Sequence, residues 1–395
     1  MQRREFLKSS TLASASLLMP GFLKALGASS IVQKGKVLVI IQLSGGNDGL
    51  NCIVPYRDDN YYRARPTLGL GKDELILLDD KAGMNPALSF LADLYHNGKF
   101  AVLHNVGYPN PNRSHFRSTD IWLSASDEKT VLTTGWVGRY LDAECNGCKP
   151  HQAVEVDDTL SLALKGTSRK GIAFRDPAAL HLASVVPAIR AAASGGGVAG
   201  RNAEAQYLYK TLAETMQSAD YLYSQSKMYK SKQAYPQHEF GKKMKTIAEL
   251  ICSGSDTVVY YASLSGFDTH AFQKDQHSRV LKVYSTSLEA FVADLKESNR
   301  FDDTLVMTFS EFGRRVEQNA SRGTDHGAAN QVYLAGGKLG RAGLLNGLPD
   351  LQSLDDGDIV QTIDFRQVYA TVLEKFLGTP SVSILERRFE LLDVL

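Results

Sequence analysis

The chain has 395 residues, of which 43% are hydrophobic. This is enough for one large globular domain or two smaller ones. The 44 basic and 43 acidic residues nearly balance, and the net charge is +1. This balance, together with the absence of any basic block, argues against nucleic acid or an anionic membrane surface as the main partner. We therefore expect no nucleic-acid partner.

The N-terminus has the features of an export signal. Arg3 and Arg4 open the pattern Arg-Arg-x-Phe-Leu-Lys, which resembles the twin-arginine signal. The apolar stretch that follows, from Thr11 to Leu26, is short and interrupted, whereas a membrane span needs about 20 apolar residues. We predict a removable signal peptide over residues 1–28, export by the twin-arginine translocase, a periplasmic or secreted protein, and no stable membrane span in the mature form. The alternative is an ordinary amphipathic N-terminal helix.

Two of the four cysteines lie close together. Cys145 and Cys148 are separated by two residues, so in an oxidising compartment they could close a small disulfide loop. Two free thiols are the alternative. The pair could also form half of a zinc knuckle, but the chain has no second pair to complete one.

Short apolar runs rich in β-branched residues recur along the chain, which is typical of strands buried on both faces of a sheet. The predicted strands are 36–43, 100–104, 257–263, 304–309 and 332–335. Between them, apolar residues repeat every three and four positions, as in helices. Strands that alternate with helices predict an α/β fold with a mostly parallel, doubly wound sheet and helices on both faces.

The middle of the chain departs from this alternation. Residues 194–200 form a glycine-rich break, and helical patterns follow over 202–235 and 240–250. We predict a helical insertion at about 195–252 within a single domain of residues 36–395.

Polar side chains follow four of the predicted strands, and others stand in a later loop. In open α/β sheets ligands bind at the carboxyl ends of the strands, so we expect these side chains to meet at one edge. They are Asn47, Asp48, Arg113, Ser114, His115, Asp268, His270, Glu311, Arg314, Asp325 and His326. Carboxylates and imidazoles from separate loops are the ligands that a divalent metal ion needs.

Most of these residues also have a purely structural explanation. Asp48 could be a turn residue, and Ser114 could be only a helix N-cap. Asp268 could form a local turn beside a surface histidine. Glu311 could form an ion pair at a helix start. The pair Asp325 and His326, which stands between glycines, is the hardest to explain structurally.

Taken together, the motifs resemble the domain-of-unknown-function family 1501. The matching segments are 42–51, 113–116, 266–270, 310–314, 325–327 and 364–369. That family is grouped with the alkaline phosphatase and sulfatase superfamily. The resemblance implies an alkaline phosphatase-like α/β core and a metal-dependent hydrolase site.

The resemblance also implies roles for individual residues. Ser114 would be the nucleophile, with His115 as a second catalytic residue. Asn47, Arg113 and Arg314 would bind the substrate. One or two divalent ions (zinc, manganese or calcium) would be held by Asp48, Asp268, His270, Glu311, Asp325 and His326. Phe312 stands where the superfamily has a histidine. The site could therefore bind two metal ions, one or none.

The implied activity is hydrolysis of phosphate or sulfate esters, with a small anionic ester as substrate. The alternative is a non-catalytic exported binding or assembly protein with a degenerate site on the same fold. Phe312, in place of the expected histidine, favours this alternative. A redox or metal-carrying protein is a third reading, suggested by Cys145 and Cys148. The sequence alone leaves open whether the chain is an enzyme.

Overall fold

The computed structural model describes residues 35–144, 147–194 and 203–395. The predicted signal peptide over 1–28, Cys145 and the glycine-rich stretch 195–200 lie outside the described residues. The predictions that depend on them stay predictions. Cys52 and Cys252, the two cysteines that stand apart from the Cys145 and Cys148 pair, are free thiols.

The strands and helices of the described ranges follow in chain order. The strands are β1 (Val37–Ser44), β2 (Ile53–Val54), β3 (Ile76–Leu77), β4 (Gly83–Met84), β5 (Phe100–Gly107), β6 (Ala153–Glu155), β7 (Ile172–Ala173), β8 (Val259–Ser265), β9 (Thr304–Phe309), β10 (Asn330–Gly336), β11 (Gly343–Leu344), β12 (Leu354–Asp355), β13 (Asp358–Ile359) and β14 (Ile363–Asp364). The helices are α1 (Asp59–Ala64), α2 (Ser89–His96), α3 (His115–Ser124), α4 (Trp136–Glu144), α5 (Pro177–Ser184), α6 (Pro187–Ser194), α7 (Ala203–Met228), α8 (Glu239–Cys252), α9 (Gln273–Glu297), α10 (Phe365–Thr371) and α11 (Val382–Leu385).

One nine-stranded sheet forms the centre of the fold. Its order is β11-β5-β10-β9-β1-β8-β6-β7, and β14 pairs with β5. β1 pairs in parallel with β8 and β9, whereas β10 runs antiparallel to both β9 and β5. The predicted α/β fold with a mostly parallel sheet is confirmed. Because β10 is reversed, the loop before it lies at the same edge as the loops that follow β1, β5, β8 and β9.

Helices cover both faces of this sheet. Successive side chains of a strand point to opposite faces, and in β1 both sets are apolar. Val39 and Ile41 pack in one core with α2, α8 and α9. Leu38 and Ile40 pack in a second core with α3, α4, α10 and α11. Each such aliphatic side chain contributes about 1.5–3 kcal/mol when fully buried, which accounts for the continuous apolar run in the sequence.

The region predicted as a helical insertion contains α7 and α8. The buried residues of α8, among them Phe240, Met244 and Ile247, recur every three or four positions and belong to the first core. α8 is therefore part of the layer against the sheet. No helix within the described ranges is both long and apolar enough to cross a membrane.

Candidate metal centre

Three loops and one helix start meet at the carboxyl edge of the sheet. The loop after β1 contains Gly45 and Gly46, which have φ of +120° and +74°. A Cβ at Gly45 would collide with the backbone nitrogen of Asp268, and one at Gly46 would collide with the ring of Phe312. Only glycine allows both the left-handed backbone and this close approach. The two glycines thus let the loops after β1, β8 and β9 pack directly against one another.

Four side chains from these loops converge on one point, and we call them the Asp268 cluster: His115, Asp268, His270 and His326. The Oδ1 atom of Asp268 lies 3.0 Å from Nε2 of His270, 3.2 Å from Nε2 of His326 and 3.6 Å from Nε2 of His115. The Nε2 atoms of His270 and His326 are only 2.9 Å apart. Three imidazole nitrogens and one carboxylate oxygen therefore share a small volume.

The other ring nitrogen of each histidine faces an oxygen outside the cluster. Nδ1 of His115 lies 2.9 Å from Oε1 of Glu311, and Nδ1 of His326 lies 2.9 Å from the carbonyl oxygen of Arg113. Nδ1 of His270 lies 3.3 Å from Oδ1 of Asp325. Because these oxygens accept hydrogen bonds, a proton on Nδ1 of each histidine would leave its Nε2 lone pair free to bind a cation.

This arrangement fits a cation at the centre of the cluster. Two Nε2 lone pairs that face each other cannot hydrogen-bond without an added proton. Nε2 of His115 is buried and has no hydrogen-bond partner. Buried polar atoms are nearly always paired. A divalent ion held by His115, Asp268 and His326, whose ligand atoms all lie within 4.8 Å of one another, would give this nitrogen a partner.

The electrostatics of the cluster favour an ionised carboxylate. Partial burial opposes the charge on Asp268, but Arg314 and His326 outweigh it and lower the pKa of Asp268 to about 2. The hydrogen bond to Glu311 raises the pKa of His115. Glu311 is buried and also accepts the backbone N–H of Gly45 at 2.8 Å. Glu311 thus lies behind His115 and orients its ring.

Arg314 places a permanent positive charge beside the cluster. Its guanidinium is fully buried and donates to Oδ1 of Asp268 at 2.8 Å. The other acceptors are the carbonyl oxygens of Gly45, Gly46, Phe267 and Thr324. Because these acceptors belong to several loops, Arg314 holds the loops together. Its predicted contact with substrate oxygens stays a prediction.

Asp48 lies outside the cluster, in a buried ion pair. Its Oδ2 atom lies 2.6 Å from Nη1 of Arg65 and accepts a hydrogen bond from Gln273. Burial acts to raise the pKa of Asp48, but Arg65 outweighs it and the pKa is lowered. Within the described part of the chain, neither of these partners belongs to the Asp268 cluster.

The remaining predicted residues lie at different depths around the site. Asn47 is buried, with Oδ1 2.9 Å from Nε2 of His277. The Arg113 side chain is 37% exposed and donates to Oδ2 of Asp358. Ser114 is exposed at the N-cap of α3 and makes no side-chain capping hydrogen bond. Its hydroxyl is therefore accessible beside His115, at the positive end of a helix.

The sequence did not indicate two features of this edge. The ring of Phe312 packs against both His115 and His326, with ring centroids 4.8 and 4.6 Å away. Arg65 neutralises Asp48 from the end of α1, more than 15 residues further along the chain. No motif around Arg65 indicates this contact. Phe312 was visible only as a departure from the expected histidine.

Comparison with known proteins identifies the family. The family described as "Protein of unknown function (DUF1501)" matches residues 105–379, which is well over half of the chain. The chain belongs to this family. Residues 105–379 of the DUF1501 match include every member of the Asp268 cluster. No curated protein matches the chain.

Solved structures that resemble this DUF1501 chain share little sequence with it. The PsFucS1 sulfatase from Pseudoalteromonas sp. is 13% identical, with a TM-score of 0.41 and coverage of 94% of this chain and 73% of that one. A protein in the alkaline phosphatase superfamily from Vibrio parahaemolyticus is 10% identical, with a TM-score of 0.36 and coverage of 91% and 72%. The C-terminal periplasmic domain of EcEptC from Escherichia coli is 9% identical, with a TM-score of 0.38 and coverage of 87% and 82%. Likeness at this level says nothing about activity.

Proposed function

We propose that the Asp268 cluster binds one divalent metal ion and that the chain is an exported hydrolase of phosphate or sulfate esters. The observation that supports this proposal best is the grouping of His115, Asp268 and His326, whose candidate ligand atoms all lie within 4.8 Å of one another. The Nε2 atom of His115 is buried without a hydrogen-bond partner. A donor set of histidine nitrogens and one carboxylate oxygen suits zinc or manganese. It does not suit calcium, which prefers six to eight oxygen ligands.

One ion fits this edge better than two. A second ion would need further carboxylates, and the two nearby candidates are already neutralised or engaged. Asp48 is paired with Arg65, and Glu311 accepts from His115 and Gly45. Phe312, which packs against two cluster histidines, offers no donor atom.

The proposed reaction uses Ser114 as the nucleophile. A divalent ion held by the cluster would act as a Lewis acid. It would lower the pKa of a nearby hydroxyl group and stabilise negative charge. The Ser114 oxygen forms a bond to phosphorus or sulfur while the bond to the ester oxygen breaks, and the serine proton passes to solvent. The departing alcohol takes a proton from water. Water then hydrolyses the serine ester and regenerates the hydroxyl group.

The surroundings of Ser114 favour an anionic group. The N-terminus of α3 directs backbone N–H groups and the positive end of the helix dipole towards this point. Arg113 is the predicted substrate residue whose side chain is partly exposed, and it could contact an anionic oxygen by a charge-assisted hydrogen bond.

A panel of phosphate and sulfate esters tests this proposal on zinc- or manganese-loaded protein. We expect turnover of at least one ester class, which Ser114→Ala abolishes while the bound metal is retained. Ser168→Ala, an exposed serine before β7, is the matched control and should keep full activity. Turnover that survives Ser114→Ala would refute the nucleophile. A metal-loaded protein that turns over no ester would favour the non-catalytic binding protein.

We also propose export by the twin-arginine translocase, on the basis of Arg3 and Arg4. Replacing both with lysine should retain the protein in the cytoplasm in a fractionation experiment. Replacing Lys8 with arginine should leave export intact. Equal export of the double-lysine variant would refute the proposed route.

A further inference from the structure

Two exposed aromatic residues stand within two positions of cluster histidines in the sequence. Phe116 follows His115 directly and is 88% exposed, and Phe272 lies two residues after His270 and is 74% exposed. Within the described ranges, the other exposed large hydrophobic side chains are aliphatic. A single exposed hydrophobic residue needs no explanation, but two phenylalanines beside the same polar site do.

The backbone of Phe272 has an unfavourable conformation. Its φ and ψ of 47° and 42° lie in the left-handed region, which glycine and asparagine enter readily and bulky residues avoid. Hydrogen bonds on both sides fix this conformation: the N–H of Phe272 donates to the carbonyl of Ser321 at 3.0 Å, and the N–H of Gln273 to that of Arg322 at 2.9 Å. The fold therefore holds a phenylalanine in solvent where asparagine would fit without strain. Strain of this kind concentrates at functional sites.

Both phenylalanines lie close to the charged centre. Consecutive Cα atoms are about 3.8 Å apart, so each Cα is within about 7 Å of the Cα of a cluster histidine. His115 and His270 in turn reach Asp268 at 3.6 and 3.0 Å. Phe312 adds a buried aromatic ring beneath His115. The backbone therefore keeps each exposed phenylalanine near a histidine of the polar centre.

We propose that Phe116 and Phe272 bind the alcohol part of the ester, and that this part is an aromatic group. This inference rests on the proposed function, in which the Asp268 cluster binds the anionic head of the same molecule. Aromatic rings stack on one another and remove apolar surface from water, and the cluster alone offers no such contact. A ligand with an anionic head and an aromatic body matches both halves of the site.

Equilibrium binding to metal-loaded protein tests the inference without requiring turnover. The probes are phenylphosphonate and methylphosphonate, with benzenesulfonate and methanesulfonate as the sulfur pair. We expect the wild type to bind the phenyl member of one pair about 10-fold or more tightly than the methyl member, as expected when an apolar pocket gains a ring. Phe116→Ala and Phe272→Asn should each reduce this preference by several-fold and leave both methyl affinity and metal content unchanged.

The control is Leu182→Ala, an exposed apolar residue of α5, which should keep the wild-type preference. Equal affinity for the phenyl and methyl probes, or a loss of both affinities together in the phenylalanine variants, would overturn the inference. The two proposals fail separately. A phenyl preference without turnover of any ester would refute the hydrolase and uphold the aromatic contact, whereas turnover without a phenyl preference would do the reverse.

Discussion

Two carboxylates at the same edge of the sheet have opposite environments. Asp268 follows β8 and Asp48 follows β1, and these strands are parallel neighbours. The side chain of Asp268 is 49% exposed, whereas that of Asp48 is 1% exposed. Three histidines and Arg314 surround Asp268, whereas Arg65 neutralises Asp48.

The counter-charge explains this difference. A carboxylate that loses its water must gain a partner within the fold, and Arg65 supplies that partner to Asp48. Asp268 shares Arg314 with four backbone carbonyl groups, and its remaining neighbours are the Nε2 atoms of three histidines. Of the two carboxylates, Asp268 is therefore the one whose surroundings call for an external cation.

The largest expected effect is on metal binding. Asp268→Asn keeps the shape of the side chain but removes its charge and one ligand oxygen, so we expect it to lose bound zinc or manganese. Asp48→Asn is the matched control and should bind the same amount of metal as the wild type. Calorimetric titration of both variants measures this difference. Loss of metal in Asp48→Asn alone would reverse the roles of the two carboxylates.

Folding stability should show the opposite order. Asp48→Asn leaves Arg65 buried beside a neutral side chain, and breaking a buried ion pair in this way costs about 3–5 kcal/mol. Asp268→Asn alters a half-exposed carboxylate, for which we expect a smaller loss in the metal-free protein. Urea unfolding of the two metal-free variants tests this order. A larger loss for Asp268→Asn would contradict the account of the buried pair.

Acid should weaken the buried region through His277. This ring contacts Asn47, and burial lowers its pKa to about 4 despite the nearby charge of Asp48. Between pH 4 and its ordinary value of about 6.5, the unfolded chain binds the proton and the folded chain does not. The contribution of His277 to the free energy of unfolding therefore has its full value above pH 6.5. It decreases as the pH is lowered, by up to about 3 kcal/mol at pH 4.

His277→Gln removes the titrating group, so its free energy of unfolding should fall less than that of the wild type between pH 7 and pH 4. Urea unfolding of the metal-free proteins at several pH values provides the measurement. Parallel curves for the two proteins would show that His277 is not buried in its neutral form.

The smallest expected effect comes from the support behind His115. Glu311→Gln removes the negative charge beside His115 Nδ1, and loss of such a partner typically lowers metal affinity by about 10–100-fold. Glu317→Gln, an exposed carboxylate in the same segment, is the control and should leave affinity unchanged. Equal affinities for wild type and Glu311→Gln would mean that Glu311 only secures the loop through Gly45.

The sequence predicted the fold well because the strands are buried on both faces. The strand predicted over 304–309 has the same bounds in the structure, and the one predicted over 100–104 extends to Gly107. The short strands β6 and β7, at one end of the sheet, lack a long apolar run and were not predicted. The reversed direction of β10 also has no local signal, although it brings His326 to the site.

The candidate site was predictable in outline only. Strand-end loops indicated which edge would carry the polar residues, but the patterns around Asp48 and Asp268 look alike in sequence. Their difference depends on Arg65, Gln273 and Arg314, which reach them from other parts of the chain. The sequence suggested His115 as a catalytic residue. In the structure its Nε2 atom is buried without a hydrogen-bond partner, which makes it a candidate metal ligand. That role depends on the contact between its Nδ1 atom and Glu311.

The most direct test of the account is the number of metal ions bound by each chain after loading with zinc or manganese and removal of excess ion by dialysis. The account predicts one ion per chain in the wild type and none in His326→Gln, which disrupts the Asp268 cluster while leaving Asp48 and Arg65 intact. Two ions per chain would contradict the assignment of Asp48 to a buried ion pair. No ion in the wild type would contradict the metal centre itself.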